Sequence, residues 1–269
     1  MINTLKETED GRILYSPNDK YIGRSIEKYG HYQLEEKKIF AQYVNKDSIV
    51  IDVGANIGTH TLWFARNAKY VTAFEPQRFI FQTLCANMAL NDIQNVDCRQ
   101  LGVGEKQELI KVPIPNYEVE NNFGGFQIKS VEDGELVAIC RIDDMMLPYC
   151  DFIKIDVEGM ELQVLKGALT TLTKCRPILY VEMDRMENRK ETVDILSEMG
   201  YVAKITAPPM YSQDYKGENI YGEVVSINAI CIPMENEDKV APLWEVEGEW
   251  SSREGSQRSW DTPPYINGS

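Results

Sequence analysis

The chain has 269 residues, 43% of them hydrophobic, which allows one α/β domain with a large core. Its net charge of −14 argues against a nucleic acid partner, because binding a phosphate backbone requires clustered Lys and Arg side chains. No apolar run reaches the roughly 18 residues of a membrane span, and the polar N-terminus has no signal-peptide core. We therefore expect a cytoplasmic protein without a membrane partner. The six cysteines show no CxxC spacing, which favours reduced core residues over disulfides or zinc ligands.

Residues 1–48 start with a polar lead and continue into the segment YQLEEKKIFAQYV. Leu34, Ile39, Phe40 and Val44 recur there at the spacing of an amphipathic helix. We expect this N-terminal cover to pack on the domain that follows it.

The next segment, IVIDVGANIG, predicts a buried strand that turns into a helix. Asp52 stands at the carboxyl end of the strand, and Gly54 permits a tight turn. Asn56 occupies the middle of the loop, and Gly58 allows the new helix to pack close to the sheet. This spacing is typical of a nucleotide-binding loop.

The residue in the middle of the loop favours one cofactor over another. A dinucleotide-binding loop has a glycine there, so that the backbone can approach a pyrophosphate. The side chain of Asn56 would crowd a pyrophosphate but can bind an amino or carboxylate group, such as the methionine end of S-adenosylmethionine. The strand YVTAFEP then ends in Glu75, where a carboxylate can accept both ribose hydroxyls. The alternative is that Asp52 only caps the turn and Glu75 is a solvated strand end. The candidate cofactor-binding residues are Asp52, Gly54, Asn56, Gly58, Thr59, Glu75 and Pro76.

Strands and helices go on alternating through a helix FIFQTLCANMALN to a third strand near VDCRQLGV, as in a doubly wound parallel sheet. From about residue 105 to 144 the pattern changes to short strand-like segments, ELIKVPIP, GFQIKS and ELVAICRID, which predict a β-rich insertion between the third and fourth strands. The segment NNFGGF within it is either a lid or a hairpin turn. In a lid, Asn122 and Phe123 would contact the ligand, and Gly124 and Gly125 would permit unusual backbone angles.

The second half of the chain predicts four more strands, which makes seven in all. They are DFIKID, PILYVEM, YVAKI and VVSINAICI, and the predicted helices are MELQVLKGALTTLTKC and NRKETVDILSEMG. The domain boundaries are then 1–48 for the cover, 49–233 for the main domain and 234–269 for an acidic, Trp-containing tail. We expect the tail to be poorly ordered or to dock on a partner.

Acidic residues gather after the fourth strand. Asp156 stands at its carboxyl end, on the edge where open α/β sheets bind ligands. Glu158 and Glu161 lie in or before the first turn of the next helix, where they could simply complement the helix dipole, worth ~0.3 to 1 kcal/mol each. Asp156 is the better functional candidate.

The motifs IDVGANIGTHTL, AFEP, NNFGGF, RIDDMM and DFIKIDVEGMELQVLKGA, followed by PILYVEM, occur here in one order and spacing. In these motifs, residues 28–205 closely resemble the FkbM family of class I S-adenosylmethionine-dependent methyltransferases. The resemblance implies a Rossmann-like fold, that is, a seven-stranded, mostly parallel sheet with helices on both faces. It also implies methyl transfer, usually to a hydroxyl oxygen of a sugar or natural product, so the expected partner is a small-molecule or glycan acceptor.

Transfer to a hydroxyl benefits from a general base. We expect Asp156 to be this base, with Glu158 and then Glu182 as further candidates. His31 could reach over the pocket but is more commonly a packing residue, and we expect His60 to line the first helix. A less favoured alternative is that Asp143, Asp144, Asp156 and Glu182 bind Mg²⁺.

Two other function classes stay open at this point. A glycine turn followed by an acidic second strand also fits an NAD-dependent oxidoreductase, although Asn56 disfavours it. A catalytically inactive S-adenosylmethionine-binding protein is compatible with the weak identification of a base. The sequence carries no readable code for the methyl acceptor.

Overall fold

The computed structural model describes residues 2–125, 131–184, 189–212, 214–215 and 217–239. The strands are β1 Thr4–Thr8, β2 Gly11–Tyr15, β3 Ile49–Val53, β4 Tyr70–Phe74, β5 Val96–Arg99, β6 Gly102–Val103, β7 Glu108–Val112, β8 Glu135–Cys140, β9 Phe152–Ile155, β10 Ile178–Glu182, β11 Tyr201–Thr206 and β12 Asn228–Pro233. The helices are α1 Ile22–Tyr29, α2 Leu34–Phe40, α3 Thr59–Asn67, α4 Arg78–Leu90, α5 Glu161–Lys166, α6 Leu169–Cys175 and α7 Arg189–Glu198. Two 3-10 helices, Ile142–Met145 and Met234–Lys239, complete the described elements.

A seven-stranded sheet forms the centre of this mixed α/β fold. Its strand order is β11-β12-β10-β9-β3-β4-β5. The strands from β10 to β5 pair in parallel, whereas β12 runs antiparallel to both of its neighbours. The prediction of an α/β fold with a seven-stranded sheet is thereby confirmed.

Alternate residues of the central strands pack on opposite faces of the sheet. Ile51 and Ile153 belong to a core cluster with residues of α5, α6 and α7. Val50 and Phe152, one position earlier, belong to another cluster with residues of α2 and α3. Because successive side chains of a strand point to opposite faces, the two clusters form two layers of helices around the sheet. Asp52 and Lys154 are cross-strand neighbours with the same parity as Val50, and therefore face α2 and α3.

The N-terminal cover contains more structure than the predicted polar lead. β1 and β2 form an antiparallel hairpin. The side chain of Asn87 in α4 accepts a hydrogen bond from Leu14 N at 2.6 Å and donates one to Leu14 O at 3.0 Å, which fixes the hairpin to the domain. The prediction missed the hairpin because its two buried apolar residues, Ile13 and Tyr15, are too few to produce a periodic pattern.

The single helix predicted over MELQVLKGALTTLTKC is two helices, α5 and α6. The chain changes direction at Gly167, where a Cβ atom would lie only 2.0 Å from the carbonyl oxygen of Gly104. At the break between the two helices, the carbonyl oxygen of Gly167 accepts a hydrogen bond from Asp143 N at 3.0 Å, outside the helix. Between β5 and β9, the strands β6, β8 and β7 form a separate three-stranded sheet. Most of the predicted strand GFQIKS, and the tail from residue 240 onwards, lie outside the described residues.

Candidate functional site

A cavity of about 400 Å³ opens at the carboxyl ends of β3, β4, β9 and β10. Of the residues predicted to bind the cofactor or take part in catalysis, eight line it: Gly54, Asn56, Thr59, Glu75, Pro76, Asp156, Glu158 and Glu182. The other two, Asp52 and Gly58, lie behind the loop that follows β3. The opposite wall comes from the cover and from the loop between β11 and β12, with Tyr21, Tyr32, Gln33, Met210, Val224, Val225 and Ser226.

The loop after β3 is held against two neighbouring strands. Gly54 has φ +82°, and a Cβ atom there would lie 1.8 Å from the carbonyl oxygen of Asp156. Only glycine fits such an approach. At Gly58, with φ +91°, a Cβ atom would lie 2.6 Å from a methyl carbon of Leu84 in α4. Gly58 therefore serves helix packing, while Gly54 brings the loop to the end of β9.

Glu75 is buried at the end of β4, with 4% of its surface exposed, so it is not a solvated strand end. Its Oε2 accepts a hydrogen bond from Asn56 N at 3.0 Å, and its Oε1 accepts one from Gln77 N at 2.9 Å. Burial raises the pKa of Glu75 to about 7, although these two hydrogen bonds act to lower it. Glu75 thus joins the β3 loop to the β4 loop and holds a carboxyl group at the cavity.

Behind the loop lies a buried lysine that the sequence reasoning did not single out. Nζ of Lys154 is 3.0 Å from Oδ2 of Asp156 and 3.7 Å from Oδ1 of Asp52. Burial acts to lower the pKa of Lys154, but the charges of Asp156, Asp52 and Glu36 outweigh it and raise this pKa. Asp52 also accepts a hydrogen bond from the Thr61 hydroxyl at 2.7 Å, and burial raises its pKa despite the nearby ammonium group. The signal in the sequence was a lysine inside the apolar strand FIKI.

The cover helix α2 contributes a second unpredicted group. Glu36 is 3% exposed, and its Oε1 accepts a hydrogen bond from Nδ2 of Asn228 at 3.2 Å. Its Oε2 lies 3.5 Å from Nε2 of His60. Burial raises the pKa of Glu36 to about 7, and burial followed by the charge of Lys154 keeps the pKa of His60 well below its usual range. His60, on α3, is therefore neutral and lines the cavity.

Three carboxyl groups converge on the far side of the cavity. Atoms of Asp156, Glu158 and Glu182 that could bind a metal lie within 4.8 Å of one another. Burial, and then the charges of Asp156 and Glu158, raise the pKa of Glu182 well above its usual range. Glu161 has a different role, because its Oε1 accepts hydrogen bonds from Val157 N at 3.3 Å and Gly159 N at 2.9 Å before α5 begins.

The predicted grouping of Asp143 and Asp144 with Asp156 and Glu182 is wrong. Asp143 accepts backbone hydrogen bonds from Thr170 at 3.0 Å and Thr171 at 2.8 Å, and so caps the first turn of α6. Asp144 accepts a hydrogen bond from Nε2 of Gln107 at 2.9 Å. The 3-10 helix that carries both residues directs Asp143 to α6 and Asp144 to Gln107, the residue before β7. Within the described ranges, the acidic group that could hold a metal is Asp156, Glu158 and Glu182.

The NNFGGF segment is anchored by its phenylalanine. Phe123 is 1% exposed, its N–H donates to Asp19 Oδ2 at 3.3 Å, and its carbonyl accepts from Gln77 Nε2 at 3.1 Å. Asn122 and Gly124 line the cavity. The segment thus forms part of the cavity wall beside the loop after β3, with a buried ring between the cover and the domain. Its last residue lies outside the described part.

His31 packs in an aromatic cluster and does not line the cavity. Its ring stacks on Tyr29 at 5.9 Å and meets Tyr215 edge-on at 6.2 Å. The cover is fixed to the loop between β11 and β12 by the hydroxyl of Tyr221, which donates to Tyr21 O at 2.9 Å. His31 is therefore the packing residue of the two alternatives.

Comparison with known proteins places this site in a family. Residues 52–203, more than half of the chain, match the model of the methyltransferase FkbM domain. The chain belongs to the FkbM methyltransferase family. The resemblance inferred from the sequence motifs is thereby confirmed, and the matched segment starts at Asp52 and ends in β11.

This member of the FkbM family is similar to curated proteins from archaea and fungi. It is 28% identical over 174 residues to the hexuronic acid methyltransferase AglP of Haloferax volcanii, covering 63% of this chain and 70% of that protein. It is 29% identical to methyltransferase 1 of Beauveria bassiana, over 45% of this chain and 58% of that protein. It is 31% identical to methyltransferase sdnD of Sordaria araneosa, over 44% and 59%. The match thus spans less than two thirds of either fungal relative.

Solved structures show more distant likenesses. Methyltransferase FkbM from Methylobacillus flagellatus KT gives a TM-score of 0.46 at 20% identity, over 69% of this chain and 44% of that one. TYW2 of M. jannaschii in complex with AdoMet gives 0.44 at 17% identity, over 86% and 85%. In the part of the chain that the structure describes, no helix is both long and apolar enough to cross a membrane.

Proposed function

We propose that this FkbM methyltransferase transfers a methyl group from S-adenosylmethionine to a hydroxyl oxygen of a sugar, a glycan or another natural product. The observation that carries the proposal is the buried carboxyl group of Glu75, which faces the cavity beside the loop of Gly54 and Asn56. The relationship to a hexuronic acid methyltransferase supports a sugar-type acceptor.

The residues at the cavity fit S-adenosylmethionine. Each oxygen of Glu75 accepts one backbone hydrogen bond and keeps a lone pair, so the carboxylate can receive both hydroxyls of a ribose. Asp156 and Glu158 provide carboxyl groups for a ligand that carries a sulfonium and an ammonium group. The absence of a side chain at Gly54 keeps the loop close enough to β9 for one ligand to contact both.

The strand order supports the finer interpretation of the fold. From β3 the chain continues to β4 and β5 on one side, and returns to β9 and β10 on the other. The cavity lies at this reversal, which is where doubly wound sheets bind their ligands. We therefore interpret the fold as Rossmann-like, with β6, β7 and β8 as an insertion between the third and fourth strands of the main sheet.

Carboxyl groups of the chain are the candidates for activating the acceptor hydroxyl. When bound, S-adenosylmethionine supplies an electrophilic methyl group on sulfur. Asp156, about 40% exposed and oriented by Lys154 at 3.0 Å, is placed to take the proton of the acceptor hydroxyl, a role worth ~10² to 10⁴-fold in rate. Glu158 is the next candidate. Glu182, whose pKa burial and the neighbouring carboxylates raise well above its usual range, is the third candidate.

Calorimetry with S-adenosylmethionine tests the donor. We expect binding to the wild type, loss of binding in Glu75→Ala, and unchanged binding in the control Glu198→Ala, which alters an exposed residue of α7. If Glu75→Ala binds S-adenosylmethionine with the wild-type affinity, the assignment of this site as the S-adenosylmethionine site is wrong. A thermal shift with NAD and none with S-adenosylmethionine would favour an oxidoreductase instead.

Mass spectrometry after incubation with nucleotide sugars and glycans tests the acceptor. We expect an added methyl group on at least one sugar, and its loss in Asp156→Ala. Binding of the donor without transfer to any member of the panel would indicate a protein that keeps the cofactor fold without the chemistry.

A further inference from the structure

The wall of the cavity that faces the carboxyl groups contains a buried amide with unsatisfied hydrogen-bonding capacity. Gln33 lies between the aromatic cluster and α2, lines the cavity and is 3% exposed. Its Nε2 lies 2.9 Å from the sulfur of Met210, a weak acceptor. Its Oε1 has no hydrogen-bond partner among the described residues.

Such an amide is costly in a protein interior. Buried side-chain amides are normally hydrogen-bonded, because removal from water without a partner is unfavourable. Gln33 also has φ +48°, a conformation in which residues other than glycine are uncommon. Strain and an unpaired polar group at one position of a cavity wall point to a ligand that completes the hydrogen bonding.

We propose that the side-chain amide of Gln33 binds a hydroxyl group of the methyl acceptor, and that this acceptor is rich in hydroxyl groups. This inference rests on the proposed function and deepens it. It concerns a residue outside the segment that matches the family model, which starts at residue 52.

The surroundings of Gln33 favour a ligand of this chemistry. Asp156 and Glu158 line the same cavity, and carboxylates only accept hydrogen bonds. A ligand with several hydroxyl groups can donate from one of them to a carboxylate and from another to the amide oxygen. The rings of Tyr21 and Tyr32 also line the cavity and offer apolar surface with a polar end to the carbon skeleton of such a ligand.

The position of Gln33 is fixed by contacts between the cover and the loop after β11. Its carbonyl oxygen accepts a hydrogen bond from Lys37 N at 3.3 Å in the first turn of α2. Nearby, Nζ of Lys38 donates to Asp214 at 2.6 Å, which ties α2 to the same loop. The backbone that carries the amide is thus fixed at the wall before an acceptor arrives.

Ligand-detected NMR on the full chain saturated with S-adenosylhomocysteine tests this inference. The probes are myo-inositol and the methyl glycosides of glucose, galactose, mannose and fucose, with 2-(hydroxymethyl)tetrahydropyran as the probe that lacks ring hydroxyls. We expect at least one polyol to bind the wild type and the tetrahydropyran not to bind. Gln33→Met, which keeps the side-chain length, should weaken polyol binding about 10-fold, the loss expected for one hydrogen bond. Gln42→Leu, at an exposed position of the cover, should bind like the wild type.

Two further measurements separate the possible outcomes. Gln33→Met should unfold at or above the wild-type temperature, because it removes an unpaired polar group, whereas a purely structural glutamine would give a lower temperature. If Gln33→Met does not fold, Gln33→Leu replaces it. Polyol binding that is equal in wild type and variant, or absent from the wild type, overturns the inference. Calorimetry with S-adenosylmethionine on the same samples shows whether the proposed function fails as well, since Gln33→Met should leave that affinity within about 2-fold of the wild type.

Discussion

Replacing Glu75 with glutamine should change how the stability of the ligand-free protein depends on pH. Burial raises the pKa of Glu75 from 4.5 to about 7. A carboxyl group whose pKa is higher in the folded state contributes its full stability below the unfolded value and loses it as pH rises through the folded value. The wild type should therefore lose stability between about pH 4.5 and pH 7 on account of this group, whereas the amide of the Glu75→Gln variant does not titrate.

The size of the effect follows from the same values. A pKa rise from 4.5 to about 7 corresponds to about 3 kcal/mol, at ~1.4 kcal/mol for each pKa unit. Between pH 5 and pH 8, most of this difference develops, so the variant should gain about 2 to 3 kcal/mol relative to the wild type. A glutamine has one acceptor oxygen for the two backbone N–H groups, which subtracts a pH-independent ~1 to 3 kcal/mol.

Urea unfolding of both proteins at a series of pH values measures this change. The control is Glu198→Gln, an exposed residue of α7, which should run parallel to the wild type. If the free energies of unfolding of Glu75→Gln and the wild type also stay parallel from pH 5 to pH 8, burial does not hold a proton on Glu75 and the reasoning is refuted.

Three further changes test other parts of the fold. Lys154→Met leaves two carboxyl groups without their ammonium partner and should lower the free energy of unfolding in urea by ~3 to 5 kcal/mol. Adding Asp52→Asn should restore part of that free energy. An unchanged free energy of unfolding in Lys154→Met would contradict the buried ion pair. Asp143→Ala removes the cap of α6 and should lower the free energy of unfolding in urea by ~0.5 to 2 kcal/mol. It should leave the affinity for S-adenosylmethionine unchanged, and Asp144→Ala should lower the free energy of unfolding by less. Phe123→Ala should cost ~3 to 5 kcal/mol in thermal unfolding, and a value near zero would show that the ring does not anchor the NNFGGF segment.

The local motifs predicted the sheet, and most of the candidate cofactor-binding residues that they indicated line one cavity. A strand that ends in Asp52 and turns at Gly54 specifies its own geometry, because a residue with φ +82° this close to a neighbouring backbone carbonyl has to be glycine. The parallel order of the strands then brings Glu75 and Asp156 to one edge without further information. This part of the site is encoded by short segments, each of which can be interpreted by itself.

The other side of the cavity depends on contacts between segments far apart in the sequence. Glu36 lies in LEEKK, which by itself indicates a solvated helix face, yet the sheet buries it next to Asn228. Asp143 carries a carboxylate that could bind a metal, but its oxygens accept hydrogen bonds from the N-terminal end of a neighbouring helix. Gln33 gives no signal in the sequence at all.

Strand periodicity and glycine-dependent turns are local properties of the chain, so the motifs were enough to predict the fold class, the family and a candidate cofactor-binding loop. Which charged residues are buried could be seen only in the folded protein. The tertiary structure placed Lys154 between two carboxyl groups and Gln33 on the cavity wall. The physical reason is that burial, and the pKa changes that follow from it, depend on which distant segments exclude water from a side chain.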